Sequence, residues 1–166
     1  MKFFKKKNIN TLYCFIFFWT TSFFLGYDSL NRFDHQKIMS HSLSDITYYE
    51  KIIKNGINEI EKSERIGPRI IVPLLAHYIY KFTGDIKSWN KVFFSLLIIN
   101  SFFISIIAIY QIKFTKLLNL RLTFYPQFLL LSSFTVTSIY LAGLIDSSIC
   151  CFIFIYIYYI LKKKFL

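Results

Sequence analysis

Four uncharged stretches of the chain alternate with charged segments. They cover residues 9–27, 92–112, 122–145 and 147–161. A helix of about 20 apolar residues crosses the roughly 30 Å hydrocarbon core of a bilayer. The two middle stretches reach that length, and the shorter last one ends at lysines that can reach outward to the lipid surface. The pattern predicts an all-α polytopic membrane protein with about four transmembrane helices and one membrane domain over residues 1–166.

The first stretch has the form of a signal peptide, because a basic start precedes an apolar run. The run ends in the bulky residues Phe23, Phe24 and Leu25, which disfavour cleavage. We therefore expect an uncleaved first transmembrane helix.

Residues 28–90 form the one long polar segment and are predicted to be an extracytoplasmic loop. Within it, apolar residues recur at helical spacing after Ser44, and polar residues take the other face. The apolar set is Ile46, Tyr49, Ile52 and Ile53, and Asn55 with Gly56 gives a C-cap signal. This predicts an amphipathic helix on the outer membrane surface.

Residues 70–82 are apolar but too few to span, and they include Pro73, His77 and Lys81. They predict an interfacial or re-entrant helix that ends at Thr83 and Gly84. Counting this helix as a span would place two of the three purely basic segments outside, against the retention of Lys and Arg on the cytoplasmic side.

Composition and charge support the membrane interpretation. The chain is 55% hydrophobic and 20% aromatic, which is too apolar for an ordinary soluble domain. All acidic residues lie between Asp28 and Asp85 or at Asp146, whereas both termini and the segment around Lys113 carry only Lys and Arg. This predicts cytoplasmic termini. The net charge of +11 comes without a basic stripe interleaved with aromatics, so no nucleic-acid partner is predicted.

No disulfide framework or metal site is predicted. Three cysteines, Cys14, Cys150 and Cys151, lie in apolar runs and behave as small apolar residues. The histidines have no ligand-like spacing.

Two acids and two arginines are candidates for chemistry. Asp45, at the start of the amphipathic helix, is either a general base near the membrane plane or a helix-terminal acid favoured by the dipole. Asp146 stands alone between long apolar stretches, so it marks either a site or a polar turn between two helices. Arg65 and Arg69 can bind a lipid phosphate, or reach to the interface and pair with Glu64.

The order of these features resembles the N-terminal part of the GT-C superfamily of integral membrane glycosyltransferases. The resemblance rests on Asp45 and Tyr49 in the first outer loop, a short helix around Gly67, Pro68, Arg69 and Pro73, and an acid after the third span, Asp146. It covers nearly the whole chain with short motifs. The second acid that usually follows the first in the family is Ile46 here.

The resemblance implies a transferase that moves a sugar from a polyprenyl-phosphate donor on the extracytoplasmic face of a bacterial inner (plasma) membrane. Asp45 and Asp146 would be catalytic, with Asp146 orienting the acceptor or a divalent metal, and Arg65 or Arg69 would bind the lipid phosphate. Since family members have further spans, the chain would be an N-terminal module, either a fragment or a reduced relative. The alternative is a non-catalytic integral membrane protein whose outer loop binds a partner or subunit.

Overall fold

The computed structural model of the protein describes residues 11–32, 44–60, 70–84, 90–118 and 147–165. For residues 28–32, 44–47, 60 and 165 it is the helical backbone alone that is described. Regular structure in these ranges is entirely α-helical, as predicted. The helices are α1 (Thr11–Arg32), α2 (Ser44–Asn55), α3 (Ile57–Ile60), α4 (Ile71–Phe82), α5 (Lys91–Leu117) and α6 (Ser147–Phe165).

Helix α5 occupies the centre of the bundle and is packed against α1, α4 and α6. Its 27 residues extend for about 40 Å. Within the described ranges it is the one helix that is both long and apolar enough to cross a membrane, and most of it is buried. Its N-cap is Asn90, whose side-chain oxygen accepts a hydrogen bond of 2.9 Å from the Val92 amide.

Helix α1 runs antiparallel to α5. Phe15 packs edge-on against Phe102, the Trp19 indole N–H donates to the Ile98 carbonyl at 3.4 Å, and Phe23 packs against Phe94. As the residue numbers rise along α1, the numbers of the α5 residues in contact fall. The start of α1 therefore lies beside the end of α5.

Helix α6 runs parallel to α5. The Ser147 hydroxyl contacts Asn100, Phe152 packs against Phe103, and Tyr158 packs against Tyr110 and Phe114. The numbers rise together along both helices, so α5 and α6 end at the same end of the bundle.

Helices α2 and α4 form a layer that packs on the first half of α5. Ile52 and Ile53 of α2 share one buried core with Val72 and Ala76 of α4, and this core continues into α5. The predicted apolar face of α2 is thus covered by α4, while Lys51 and Lys54 on its other face are exposed. At 12 residues, α4 is about 18 Å long and too short to cross a bilayer, as expected.

A glycine and a histidine lock α2 to α4. Gly56 adopts a left-handed φ of 71° and its amide donates to the Ile52 carbonyl at 2.7 Å, which confirms the predicted cap. The buried His77 ring lies against Gly56, and its Nδ1 is 2.8 Å from the Ile53 carbonyl oxygen. Since this carbonyl is in the last turn of α2, where helices leave acceptors unpaired, the imidazole satisfies it.

Both ends of α4 follow from local chemistry. Pro73 lies in the first turn of α4, where a missing amide hydrogen costs no intrahelical bond. Thr83 caps the end of α4, as predicted, because both its amide and its hydroxyl donate to the Ile79 carbonyl.

The predicted spans correspond to helices wherever the structure describes them. Residues 9–27 overlap α1, 92–112 lie within α5, and 147–161 lie within α6. Helices α1, α5 and α6 all continue past the predicted ends, because backbone hydrogen bonding does not stop where charged residues begin. Residues 122–145 lie outside the described residues, so the number of four spans stays a prediction.

We expect Gly56→Ala to lower the free energy of unfolding by about 1 to 3 kcal/mol, because an added Cβ strains the left-handed backbone and would lie 2.7 Å from His77 Nε2. Gly84→Ala is the matched control, since its Cβ would meet nothing within 4 Å. Detergent-solubilised variants would be compared by sodium dodecyl sulfate titration followed by circular dichroism. Equal stability of the two variants would contradict this packing.

Candidate functional site

The structure describes little of the predicted site itself. Position 45 lies in the first turn of α2, but the Asp45 side chain is not among those described. Arg65, Arg69 and Asp146 lie outside the described residues. Their catalytic and phosphate-binding roles therefore stay predictions. The described residues give the framework of α2 with α4 and α5.

That framework holds the first turn of α2 close to the bundle. Position 45 is one turn before Tyr48 and Tyr49, so all three share a side of the helix. Tyr49 is buried in the core shared with α4 and α5, and Tyr48 packs against the same core. Position 45 thus belongs to the side of α2 that meets the rest of the protein.

Tyr48 carries a buried hydroxyl that has no hydrogen-bond partner within the described part of the chain. A buried phenol normally has one, because losing its hydrogen bonds to water without replacement costs about 1 to 3 kcal/mol. The hydroxyl can both donate and accept. Since no described residue occupies it, the hydroxyl can bind a ligand.

A second polar feature connects the two parallel helices. The Ser147 hydroxyl donates to Asn100 Oδ1 at 2.6 Å, and both residues are buried. The rise of a helix places Asn100 about 14 Å along α5 from Lys91. The start of α6 therefore lies beside Asn100, about 14 Å along α5 from the end where the layer of α2 and α4 packs.

The buried serines of α5 differ from Asn100 in how they are satisfied. Ser95, Ser101 and Ser105 each donate to the carbonyl four residues earlier, within α5 itself. Asn100 instead accepts a hydrogen bond from another helix. Asn100 is therefore an α5 side chain whose polar contact helps to fix the position of α6.

Sequence reasoning missed Asn100. The available signal was an amide in the middle of an apolar stretch, since polar side chains in such stretches pair across helices or mark function. The partner could not be read from the pattern because Ser147 is 47 residues away. Tyr48 follows Asp45 closely in the sequence, but the sequence could not show that its buried hydroxyl has no partner among the described residues.

Comparison of the chain with protein-family models, with curated proteins and with solved structures finds no match. Among the described residues, no group of three His, Cys, Asp or Glu side chains lies close enough to hold a metal ion. Function is therefore inferred from the residues and their geometry.

We expect Asn100→Ala to destabilise the contact between α5 and α6 by about 1 kcal/mol, because the Ser147 hydroxyl is left buried without its acceptor. A double-mutant cycle with Ser147→Ala, read from unfolding in mixed micelles, would measure the coupling. Ser101→Ala is the control, since that hydroxyl bonds within its own helix. Zero coupling between positions 100 and 147 would rule out the contact.

Proposed function

We propose that the protein is an integral membrane protein with four spans, and that it is the N-terminal module of a GT-C-like glycosyltransferase acting on the extracytoplasmic face. The outward faces of α1 and α6 support membrane insertion, because they are apolar like the faces that pack inside the bundle. The exposed residues include Leu12, Tyr13, Ile16, Phe17 and Phe24 on α1, and Phe152, Ile153, Tyr156, Ile157 and Ile160 on α6. A soluble bundle would turn polar residues outward here, whereas lipid covers apolar ones.

The parallel packing of α5 and α6 supports the predicted span at residues 122–145. Both helices end at the same end of the bundle, so the chain has to return to the opposite end between Leu118 and Ser147. In a membrane that return is a crossing. The uncharged residues 122–145 are long enough to make it as a helix.

The charges of the described residues support the orientation. Lys113 and Lys116 near the end of α5 share one end of the bundle with Lys162, Lys163 and Lys164 of α6. The layer at the opposite end carries charges of both signs, namely Glu50 and Glu59 with Lys51, Lys54 and Lys81, whereas the described residues of the first end carry lysines without an acid. Retention of Lys and Arg in the cytoplasm would place that layer outside and both termini inside.

The observation that carries the catalytic proposal is the docked first turn of α2. Position 45 is one turn before Tyr48, whose buried hydroxyl has no hydrogen-bond partner among the described residues, and this supports a polar site at the start of α2. In the proposed reaction Asp45 accepts the proton of an acceptor hydroxyl, whose oxygen then forms a bond to the anomeric carbon of the donor sugar. The bond from that carbon to the polyprenyl phosphate breaks, and the departing phosphate keeps the electron pair beside Arg65 or Arg69. Asp146, next to the start of α6, would orient the acceptor or a divalent metal.

The exposed side of α4 fits a donor that is carried on a lipid. Ile71, Leu75, Tyr78 and Phe82 recur along one face and are exposed, with Phe82 exposed to 89%. A short helix with an apolar outer stripe lies at the interface between lipid and water. The same stripe would serve a protein partner in the alternative, non-catalytic role of the outer loop.

We expect reporter fusions to place residue 84 outside the membrane and residues 118 and 166 inside. Alkaline phosphatase should be active only after Gly84, and green fluorescent protein should fluoresce only after Leu118 and Leu166, because α5 and α6 point the same way. Extraction of the chain by alkaline carbonate would contradict membrane insertion. Opposite locations for residues 118 and 166 would contradict a span at residues 122–145.

We expect membranes that contain the chain to transfer sugar from a polyprenyl-phosphate sugar, and Asp45→Asn to lower the rate by about a hundredfold or more, since a general base is lost. Glu50→Gln is the matched control, because this acid is on the same helix but already pairs with Lys54 at 2.6 Å. Release of the lipid phosphate and capture of the labelled acceptor would be measured together. No transfer by the wild type, or full transfer by Asp45→Asn, would exclude the catalytic proposal.

A further inference from the structure

The shared end of α5 and α6 carries a cluster of lysines, named here the basic end. Lys113 and Lys116 are in the last turns of α5, and Lys162, Lys163 and Lys164 are in the last turns of α6. Because the helices are parallel, with Tyr158 packed against Phe114, these lysines lie at similar depth. All except Lys113 are exposed.

Lys113 is held between the two helices. Its Nζ lies 4.4 Å from the centre of the Tyr110 ring and 5.9 Å from that of Tyr158. Both distances are within the range of cation–π attraction. The rings hold the ammonium in the groove between α5 and α6, where it forms a fixed positive charge.

The basic end has no acidic partner in the surrounding sequence. No Asp or Glu occurs between Asp85 and Asp146 or after Asp146. The opposite end differs, because Lys54 there pairs with Glu50 at 2.6 Å. The positive charges of the basic end are therefore uncompensated within α5 and α6, and they raise the local concentration of anions.

An apolar track leads to these lysines. The exposed residues Phe152, Tyr156 and Tyr159 run along the side of α6 next to the groove, where Phe152 packs against Phe103, and they end one turn before Lys162 and Lys163. This arrangement has the two parts of a phospholipid site, namely a surface for acyl chains and a cationic group at their polar end. Basic pockets between transmembrane helices bind anionic head groups in this way.

We propose that the basic end binds an anionic phospholipid, with its phosphate in the groove beside Lys113 and Lys162 and its acyl chains along the side of α6 that carries Phe152, Tyr156 and Tyr159. The exposed lysines beside the groove add attraction for a net negative head group. A zwitterionic lipid gains less, because its own cation offsets the phosphate. The proposal rests on the membrane insertion proposed above and is independent of sugar transfer.

The test uses the full chain, purified in mild detergent and incubated with phosphatidylglycerol or phosphatidylcholine. Native mass spectrometry would count the lipids that remain bound. We expect phosphatidylglycerol to be retained preferentially, and Lys113→Gln with Lys162→Gln to lower its affinity by about fivefold per lysine removed.

The matched control is Lys91→Gln. Lys91 also lies 4.4 Å from the centre of a tyrosine ring, that of Tyr80, but at the opposite end of α5. We expect this variant to retain phosphatidylglycerol like the wild type. Lys113→Arg keeps the charge and should keep the lipid, which separates a charge effect from loss of folding.

Three outcomes would overturn the proposal. They are equal retention of the two lipids by the wild type, unchanged retention by the double variant, and equal losses in the double variant and in Lys91→Gln. Membrane insertion is scored separately by carbonate extraction. A chain that stays in the membrane but shows no lipid preference overturns the lipid site alone, whereas an extracted chain overturns the proposed membrane protein.

Discussion

The packing around α5 is the constraint on which the rest of the structure depends. This helix is apolar on every side, and α1, α4 and α6 each cover one part of it. In the proposed membrane setting, burial from water contributes little to contacts between helices, which leaves close packing and polar contacts to stabilise them. The edge-on aromatic pairs Phe15 with Phe102 and Phe103 with Phe152 supply the first, and Asn100 with Ser147 supplies the second.

The layer of α2 and α4 has a different physical basis. Its core of Tyr49, Ile52, Ile53, Val72 and Ala76 closes over the first half of α5, as in the interior of a soluble domain. The His77 ring adds direction, since it satisfies a carbonyl at the end of α2 while its flat side leaves room only for a glycine. These contacts fix the position of α2 on the bundle, and a site at the start of α2 requires such a fixed position.

Local signals in the sequence predicted most of the helices. Asn55 with Gly56 placed the end of α2, because a left-handed cap depends on adjacent residues only. Periodicity showed which face of α2 is covered but not that α4 covers it, since the pattern carries no information about the partner. The same limit applied to the site, where Asp45 could be placed on its helix. The contact of Asn100 with Ser147 and the stacking of Lys113 on Tyr158 both depend on residues far apart in the chain. So does the burial of the Tyr48 hydroxyl, which lacks a partner within the described ranges.

The parallel arrangement of α5 and α6 also sets an order of assembly. Antiparallel neighbours such as α1 and α5 can pair as soon as both have been made, but α6 can join only after the connecting segment has been synthesised. Asn100 is made 47 residues before its partner. At typical rates of synthesis its amide waits about 2 to 9 seconds for the Ser147 hydroxyl. Throughout that interval the half-built bundle presents a polar group on an apolar surface, and the arrival of α6 is the step that removes it.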